Sequence, residues 1–311
     1  MSSVSVCIVT YNSEEDIITC LNAVLAQSHI VDEIIVIDNA SIDHSVERVS
    51  TLASTHPNIT LIKNKLNNGF AGGQNQAISL AKGDYIVVLN PDVELDYNYV
   101  KLTVQALEKN HLAGSATGLL KLKSNPDVVD TTGLFMPFNR HAVDRGMGES
   151  IQSWQTAGEV FGVSGAAAVY KRKMIEAISL NGEFFDEYFF AYKEDVDVAW
   201  RARNLGWIAL YEPTATATHA RGWKKGGRKN ISLFVRQHSY VNQIFMVIKN
   251  EQINLLFILR LPVLLLRELT KLMYIILKER DLLSSLNILR KSLPIMMKKR
   301  QVLQAMIRHL K

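Results

Sequence analysis

Residues 189–207 read FFAYKEDVDVAWRARNLGW and set Glu194, Asp195 and Asp197 beside Phe189, Phe190, Tyr192 and Trp200, with Arg201 following. A carboxylate pressed against aromatic rings loses hydration. Its pKa rises toward working pH, which suits it to take a proton from a hydroxyl. The same acids at a helix start would also complement the helix dipole, a purely structural role. On a helix, positions 195 and 197 lie ~200° apart. One acid is therefore expected to face a site and the other solvent or Arg201.

A second carboxylate stands in LNPDVEL, residues 89–95. Pro91 ends strand pairing and holds Asp92 at a strand tip. A hard divalent cation there would need few protein ligands and would take its remaining oxygens from a diphosphate. A plain turn aspartate fits the same residues. NNGFAGGQNQAI, residues 67–78, supplies glycines for close backbone approach. A helix from Gln74 would offer free N–H groups to an anion. The stretch lacks G-x-G-x-x-G spacing and has no GK[ST], which argues against hydride and phosphoryl transfer.

The elements that must position these residues alternate. Apolar runs at Val4–Val9, Glu33–Ile37, Ile59–Ile62 and Tyr85–Leu89 read as strands. Helical spacing separates them at Ile17–Leu25, around Val46–Leu52 and at Gln74–Ala81, with Ser13 and Asp16 as candidate caps for the first. Gly162–Tyr170 reads as a later strand whose small residues leave room for an acceptor or for close packing. The alternation predicts an α/β fold with a mainly parallel sheet flanked by helices. Ligands of such sheets sit beyond the carboxyl ends of the strands. Thr10, Tyr11 and Asn12, then Asp38, Asn39 and Ser41, then Asn90 and Asp92 all fall at those ends. Together they point to a nucleotide or sugar site, although each cluster alone would pass as turn chemistry.

Charge divides the 311 residues. Positions 1–219 hold 16 Lys+Arg against 26 Asp+Glu; positions 220–311 hold 19 against 4. The expected organisation is an acidic body, 1–225, and a basic amphipathic helical tail, 226–311, that binds an anionic surface or a second subunit. INLLFILRLPVLLLRELTKLMYIIL, residues 253–277, carries too many charges for a membrane span. Arg260, Arg267, Lys271 and Lys278 fall within ~40° of one another on a helical wheel. Such a cationic stripe on an apolar helix suits a membrane interface. No groove-reading motif accompanies the basic segment, so nucleic acid is not expected. The two cysteines, Cys7 and Cys20, sit in apolar patterns without disulfide or zinc spacing. The N-terminal run has no basic leader region, and a cytoplasmic protein is expected, peripheral on the inner face of the plasma membrane.

In order along the chain, IVTYN (8–12), DNASIDHS (38–45), NNGFAGGQNQAI (67–78), LNPDVEL (89–95), VSGAAAVYKRKMIE (163–176) and FDEYFFAYKEDVDVAWRARNLGW (185–207) resemble the motifs of family 2 glycosyltransferases of the GT-A fold, and within them bacterial rhamnosyltransferases. The resemblance implies an inverting, metal-dependent glycosyltransferase using Mg²⁺ or Mn²⁺. It would move L-rhamnose from dTDP-rhamnose to a lipid-linked glycan in cell-surface polysaccharide synthesis; another nucleotide sugar such as a UDP-sugar, or a catalytically idle scaffold, are the alternatives. It implies that Thr10, Tyr11, Asn12 and Asp38 line the nucleotide pocket, that Asn90 faces the ribose, and that Gly72, Gly73 and Asn75 border the donor sugar. Asp92 would hold the metal, with Asn90 standing where a D-x-D turn has its first acid. Asp195, within Glu194-Asp195…Arg201, would be the base. His219 would lie near the metal in an H-x-x-G stretch where Lys224 replaces the usual serine, and Arg221, Lys224, Lys225 and Arg228 would offer charge to the diphosphate.

Overall fold

The structure is a computed structural model that describes residues 2–221 and 232–310. Strand β1 (Val4–Thr10) is followed by α1 (Ile17–Leu25), β2 (Glu33–Asp38), α2 (Ser45–Thr55), β3 (Ile59–Lys63), α3 (Gly69–Leu80) and β4 (Tyr85–Leu89). These four strands are parallel in the order β3-β2-β1-β4. β1 and β4 are buried along nearly their whole length, and mostly apolar, because helices cover both faces. Side chains alternate: Val4, Val6 and Ile8 pack on α1, α2 and the later α4, while Cys7 faces the layer of α3.

Beyond β4 the sheet becomes mixed. The chain runs through β5 (Val93–Leu95), α4 (Tyr99–Glu108), β6 (Ala113–Leu122), β7 (Asn125–Thr131), a two-strand ribbon β8 (Leu134–Phe135) and β9 (Val143–Asp144), β10 (Gly158–Val160), β11 (Ala167–Lys171), α5 (Arg172–Ile178), α6 (Glu194–Asn204) and β12 (Ile208–His219). Antiparallel β11 joins β4 to β6, and β12 lies parallel to β6. The end of β12 turns back onto β5, pairing His219 with Val93, next to Asp92.

Three local expectations differ from the fold. Gly69–Gly73 is the first part of α3, not a loop before a helix at Gln74. The glycines serve close packing: a Cβ on Gly73 would stand 2.8 Å from Val9, and one on Gly69, at φ +73°, 2.5 Å from the Phe190 carbonyl oxygen. Ser13 does not cap α1 through its hydroxyl; its carbonyl accepts from the amides of Asp16 and Ile17. Of the strand expected at 162–170, residues 162–166 lie outside β11.

The C-terminal segment forms α7 (Leu233–Asn250), α8 (Leu255–Lys278) and α9 (Ser285–His309). It shares the body's core. Tyr240, Phe245, Met246 and Met296 pack with Phe189, Val196 and Trp200, and Leu303 and Ile307 of α9 join the α3–α5–α6 layer. Buried ion pairs tie the layers: Lys249 Nζ lies 2.6 Å from Asp186 and 2.7 Å from Asp197, and Lys299 Nζ lies 2.6 Å from Asp186. The basic stripe on α8 faces this body. Arg260 is buried, 2.7 Å from Glu251, and stacks over Phe138; Arg267 donates to the Asn139 carbonyl; Lys271 sits 4.7 Å from the Tyr240 ring centre. The stripe is thus the docking face of α8, because carboxylate, carbonyl and aromatic partners await it there. Leu264 and Ile275 are buried on the same side, Lys278 at the end of the stripe is exposed, and the rest of the apolar surface turns outward.

Candidate active site

Parallel pairing puts the polar strand ends on one edge. Thr10 is in register with Asp38, and Ile8 with Leu89 just before Asn90. Beyond them opens a cavity of about 430 Å³ whose lining includes Tyr11, Asn12, Phe70, Asn90, Asp92 and Phe190. Thr10 Oγ1 and Asp38 Oδ1 are buried at this edge without a hydrogen-bond partner, and the cavity is lined by their neighbours Val9, Tyr11 and Asn39 and not by Thr10 or Asp38 themselves. Asn12, at φ +52°, is a loop fastener: its side-chain oxygen accepts from Ile42 N at 2.9 Å and its backbone N–H donates to Ser41 Oγ at 3.0 Å.

Asp92 is the first member of a chain of charges. Its Oδ1 lies 3.3 Å from His219 Nε2, while His219 Nδ1 is 2.8 Å from the fully buried Asp130. Arg221 Nε lies 3.0 Å from Asp130, and its Nη2 lies 2.5 Å from Asp144. Burial works against the imidazolium, but hydrogen bonds to Asp130 and Asp92 outweigh it and lift the His219 pKa to about 9. Burial would raise the Asp92 carboxyl, yet His219 and Arg221 hold it below its usual range. Among the described residues no group of three or more His, Cys, Asp or Glu side chains forms a complete cation cage. The donor set nevertheless fits a divalent ion that keeps positions open for substrate oxygens. One carboxylate oxygen and one imidazole nitrogen face each other, and the second ring nitrogen is fixed by a buried carboxylate. Arg221 is committed to Asp130 and Asp144 in this arrangement. Lys224, Lys225 and Arg228 lie outside the described residues.

The turn before the acidic stretch lines the same cavity through Phe190 and Ala191, and the acids follow at the start of α6. Asp195 Oδ2 accepts from Gly165 N at 3.1 Å. A Cβ on Gly165 would stand 3.3 Å from the Phe70 ring and 3.6 Å from Asp195 Cβ, so a glycine there lets the acid approach a ring that lines the cavity with Asp92. Burial pushes the Asp195 carboxyl up, against the Gly165 hydrogen bond. Glu194 is buried with Oε2 unpartnered; burial, then the neighbouring Asp195, raise it to about 8. Asp197 points the other way into protein, 2.9 Å from Arg201 Nε, and Arg201 donates onward to the Ile178 and Phe184 carbonyls. The aromatic wall differs in part from expectation. Tyr192 is 46% exposed, and Trp200 lies under Arg140 and against Phe161. Phe70 is the ring close to Asp195.

The turn before α6 is strained. Phe190 (φ 59°, ψ −63°) closes a three-residue turn in which Ala191 N donates to Phe189 O at 2.6 Å, and Tyr192 and Lys193 also have positive φ. Such turns are rare and persist where surroundings over-determine them. Here Asn242 of α7 does so. Its buried Nδ2 lies 2.8–2.9 Å from the carbonyl oxygens of Phe189, Ala191 and Tyr192, and the Phe190 carbonyl accepts from Ala71 N at the start of α3. Asn242→Asp keeps the shape and removes the donor. The expected result is a ~10²-fold lower kcat with donor KM little changed, read by steady-state kinetics.

Other expected site residues fall elsewhere. Gly73 packs on Val9. Gly72 and Asn75 line a separate cavity of about 540 Å³ with Asn64, Asn68, Gln76, Ser79 and Glu187. Asn75 spends its amide on Phe185 N, Phe185 O and Glu187, so it clamps the segment leading to the acidic stretch. Asp130, Asp144 and Asn242 had no sequence signal: each stands in an ordinary strand or helix pattern, and only the fold brings it to the site.

Comparison with known proteins adds three findings. Residues 5–179 match the family described as Glycosyl transferase family 2. Over 215 residues the chain is 22% identical to a poly-beta-1,6-N-acetyl-D-glucosamine synthase of Staphylococcus epidermidis, covering 69% of this chain and 49% of that one; a Staphylococcus aureus counterpart is 25% identical over 205 residues, covering 66% and 47%. The chain thus spans about half the length of these curated relatives. The fold is shared with a mannosyltransferase from Pyrobaculum calidifontis in complex with GDP-Man and Mn²⁺ (TM-score 0.59, 18% identity, 98% of this chain and 86% of that one). It is shared also with S. aureus TarS in complex with UDP-GlcNAc (TM-score 0.55, 18% identity, 80% and 68%).

Proposed function

Because the chain belongs to glycosyl transferase family 2, we propose that it is an inverting, metal-dependent transferase that passes L-rhamnose from dTDP-rhamnose to a lipid-linked glycan at an anionic membrane surface. The observations that support the chemistry are two unlike carboxylates: Asp92 lines the cavity with its pKa held down by His219, and Asp195, its pKa pushed up by burial, is seated on Gly165 behind Phe70, a ring of the same lining. One group stays anionic for a cation, and the other is poised to accept a proton.

In this reading Thr10 Oγ1 and the unpartnered Asp38 Oδ1 receive the pyrimidine edge, Tyr11 and Asn12 flank it, and Asn90 faces the ribose. Asp92 and His219 hold Mg²⁺ or Mn²⁺, which when bound neutralises charge on the departing diphosphate. The acceptor hydroxyl oxygen bonds to the anomeric carbon from the face opposite the diphosphate. The bond from that carbon to the diphosphate oxygen breaks, and the hydroxyl proton passes to Asp195. Asn242 holds the turn before Asp195 in place, and Glu194 is the buried acid beside it. Asp130 fixes the His219 ring, so Asp130→Asn is expected to weaken Mn²⁺ binding by ~10–100-fold in a calorimetric titration.

The rhamnose donor is supported by the motif resemblance. A second reading, a UDP-sugar donor, is favoured by the N-acetylglucosamine polymer synthases among the relatives and by the UDP-GlcNAc bound to TarS. A pyrimidine contact at Asp38 serves uracil and thymine alike. The deciding experiment is metal-dependent release of nucleoside diphosphate across a panel of nucleotide sugars. Turnover with dTDP-rhamnose above all UDP-sugars supports the first reading, turnover with a UDP-sugar the second, and turnover with none defeats both.

A further inference from the structure

No helix among the described residues is long and apolar enough to cross a membrane. Yet α8 presents Leu255, Ile258, Leu265, Leu266, Leu269 and Leu277 at 56–72% exposure, side by side over 24 residues. Exposed apolar surface on this scale marks a contact site. Its width discriminates between occupants. From Leu261 round to Leu256, at ~100° per residue, the apolar arc covers ~220° of the helix. A partner helix seals a stripe on the order of 100°, so a second copy would leave about half of the arc in water.

The polar side of α8 is already used. Arg260, Arg267 and Lys271 are turned inward onto Glu251, Asn139 and Tyr240. An ordinary interfacial helix turns its charged face to water; here the protein body takes the place of water on that side. The exposed charge of the C-terminal segment is one-sided. Lys278, Arg280, Arg290, Lys291 and Lys298 are exposed near the end of α8 and along α9. The acids of this region are paired: Glu251 with Arg140 and Arg260, Glu268 with Arg267, and Glu279 and Asp281 with Arg236. An exposed apolar arc, with exposed cations Lys278 and Arg280 at its C-terminal end and unopposed by free acids in the segment, is complementary to one leaflet of an anionic bilayer.

We infer that α8 lies in the plane of the membrane with its outward arc immersed in the acyl region of an anionic leaflet and its basic side docked on the enzyme. This deepens the membrane part of the proposed function and names the surface responsible. It reverses the sequence expectation, in which the cationic stripe itself met the lipid.

The full chain carrying Leu266→Trp tests it with vesicles of mixed phosphatidylglycerol and phosphatidylcholine. The expected results are co-sedimentation, blue-shifted Trp emission, and quenching by lipids brominated on their acyl chains. In a second variant, Leu266→Glu with Leu269→Glu should lower vesicle affinity at least ~10-fold, because charged side chains are costly in hydrocarbon. Nucleotide-sugar hydrolysis by that variant should match the parent, since neither position touches the cavity. Three results would overturn the inference: no sedimentation, sedimentation indifferent to the double substitution, or a solution dimer that the double substitution dissociates while Trp emission stays unquenched. Hydrolysis is read separately, so loss of the transferase reading and loss of the membrane surface give different patterns.

Discussion

Asp195→Asn is expected to lower sugar-transfer kcat by ~10²–10⁴-fold while leaving the donor bound. Asparagine preserves the size of the side chain and can still accept from Gly165 N, the contact that seats Asp195. What it removes is the basic oxygen. Asp92→Asn should differ in kind. It should weaken binding of Mn²⁺ and donor together, because Asp92 is the exposed end of the chain through His219, Asp130 and Arg221. The pH profile separates the two further. A general base works only when deprotonated, so wild-type kcat should fall as pH drops through the Asp195 pKa. Burial raises that pKa above the ordinary aspartate value, and the acid limb should stand correspondingly high. Glu194, raised to about 8, must not be mistaken for that limb. Its folded-state pKa exceeds its unfolded one, so its burial costs stability increasingly as pH rises from about 4.5 to about 8. Glu194→Gln should therefore raise the melting temperature at alkaline pH and leave it nearly unchanged at acid pH. An Asp195→Asn enzyme with unaltered kcat would remove Asp195 from the role of base.

Much of this architecture is legible before any coordinates. β1 through β4 are short apolar runs, and a buried parallel strand has few other ways to be written. Because ligands gather at the carboxyl edge of such sheets, Thr10, Asp38, Asn90 and Asp92 could be read to one edge from strand ends alone, and the structure does gather them there. Helical geometry also parted Asp195 from Asp197, and Asp197 went to Arg201. The failures have a common cause: the missing information lay in distant partners. Gly69 and Gly73 read as loop because glycine disfavours helix. They are helical because Val9 and Phe190 leave no room for side chains. Asn75 looked like a ligand contact until Phe185 and Glu187 took up its amide. The periodicity of α8 revealed a basic stripe, but periodicity cannot say on which side the body lies. Glu251, Asn139 and Tyr240 decide that.

The same dependence on distant partners yields the largest stability effect expected in the chain. Lys249, near the end of α7, is fully buried between Asp186 and Asp197, with Asn250 donating to the far oxygen of Asp197 at 2.7 Å. Lys249→Met fills the space yet takes one of two cationic partners from each buried carboxylate, leaving Asp186 with Lys299 and Asp197 with Arg201. Breaking a buried pair from one side costs ~3–5 kcal/mol, a large part of the stability of a typical domain. Urea unfolding should show the midpoint fall with the slope retained. The pH dependence has a definite sign. Burial raises the Asp186 carboxyl, but Lys249 and Lys299 outweigh it and depress its pKa far below the usual range. The stabilisation is therefore complete above the unfolded-state pKa near 3.8 and is lost only as pH falls through the depressed folded value. The deficit of Lys249→Met should accordingly be largest at neutral pH and shrink in strong acid. Asp186→Asn added to Lys249→Met should cost less than the two single losses summed, since the acid it discharges has already lost one of its two cations. A deficit under ~1 kcal/mol at neutral pH would mean that Lys299 and Arg201 satisfy the two carboxylates without Lys249. The same geometry predicts the fate of a chain cut near residue 230. It would lose Lys249, the Asn242 clamp and the α9 side of the core together. Such a truncation should unfold or aggregate, so any loss of vesicle binding it showed would report on folding, whereas substitutions on the outward arc of α8 report on the membrane alone.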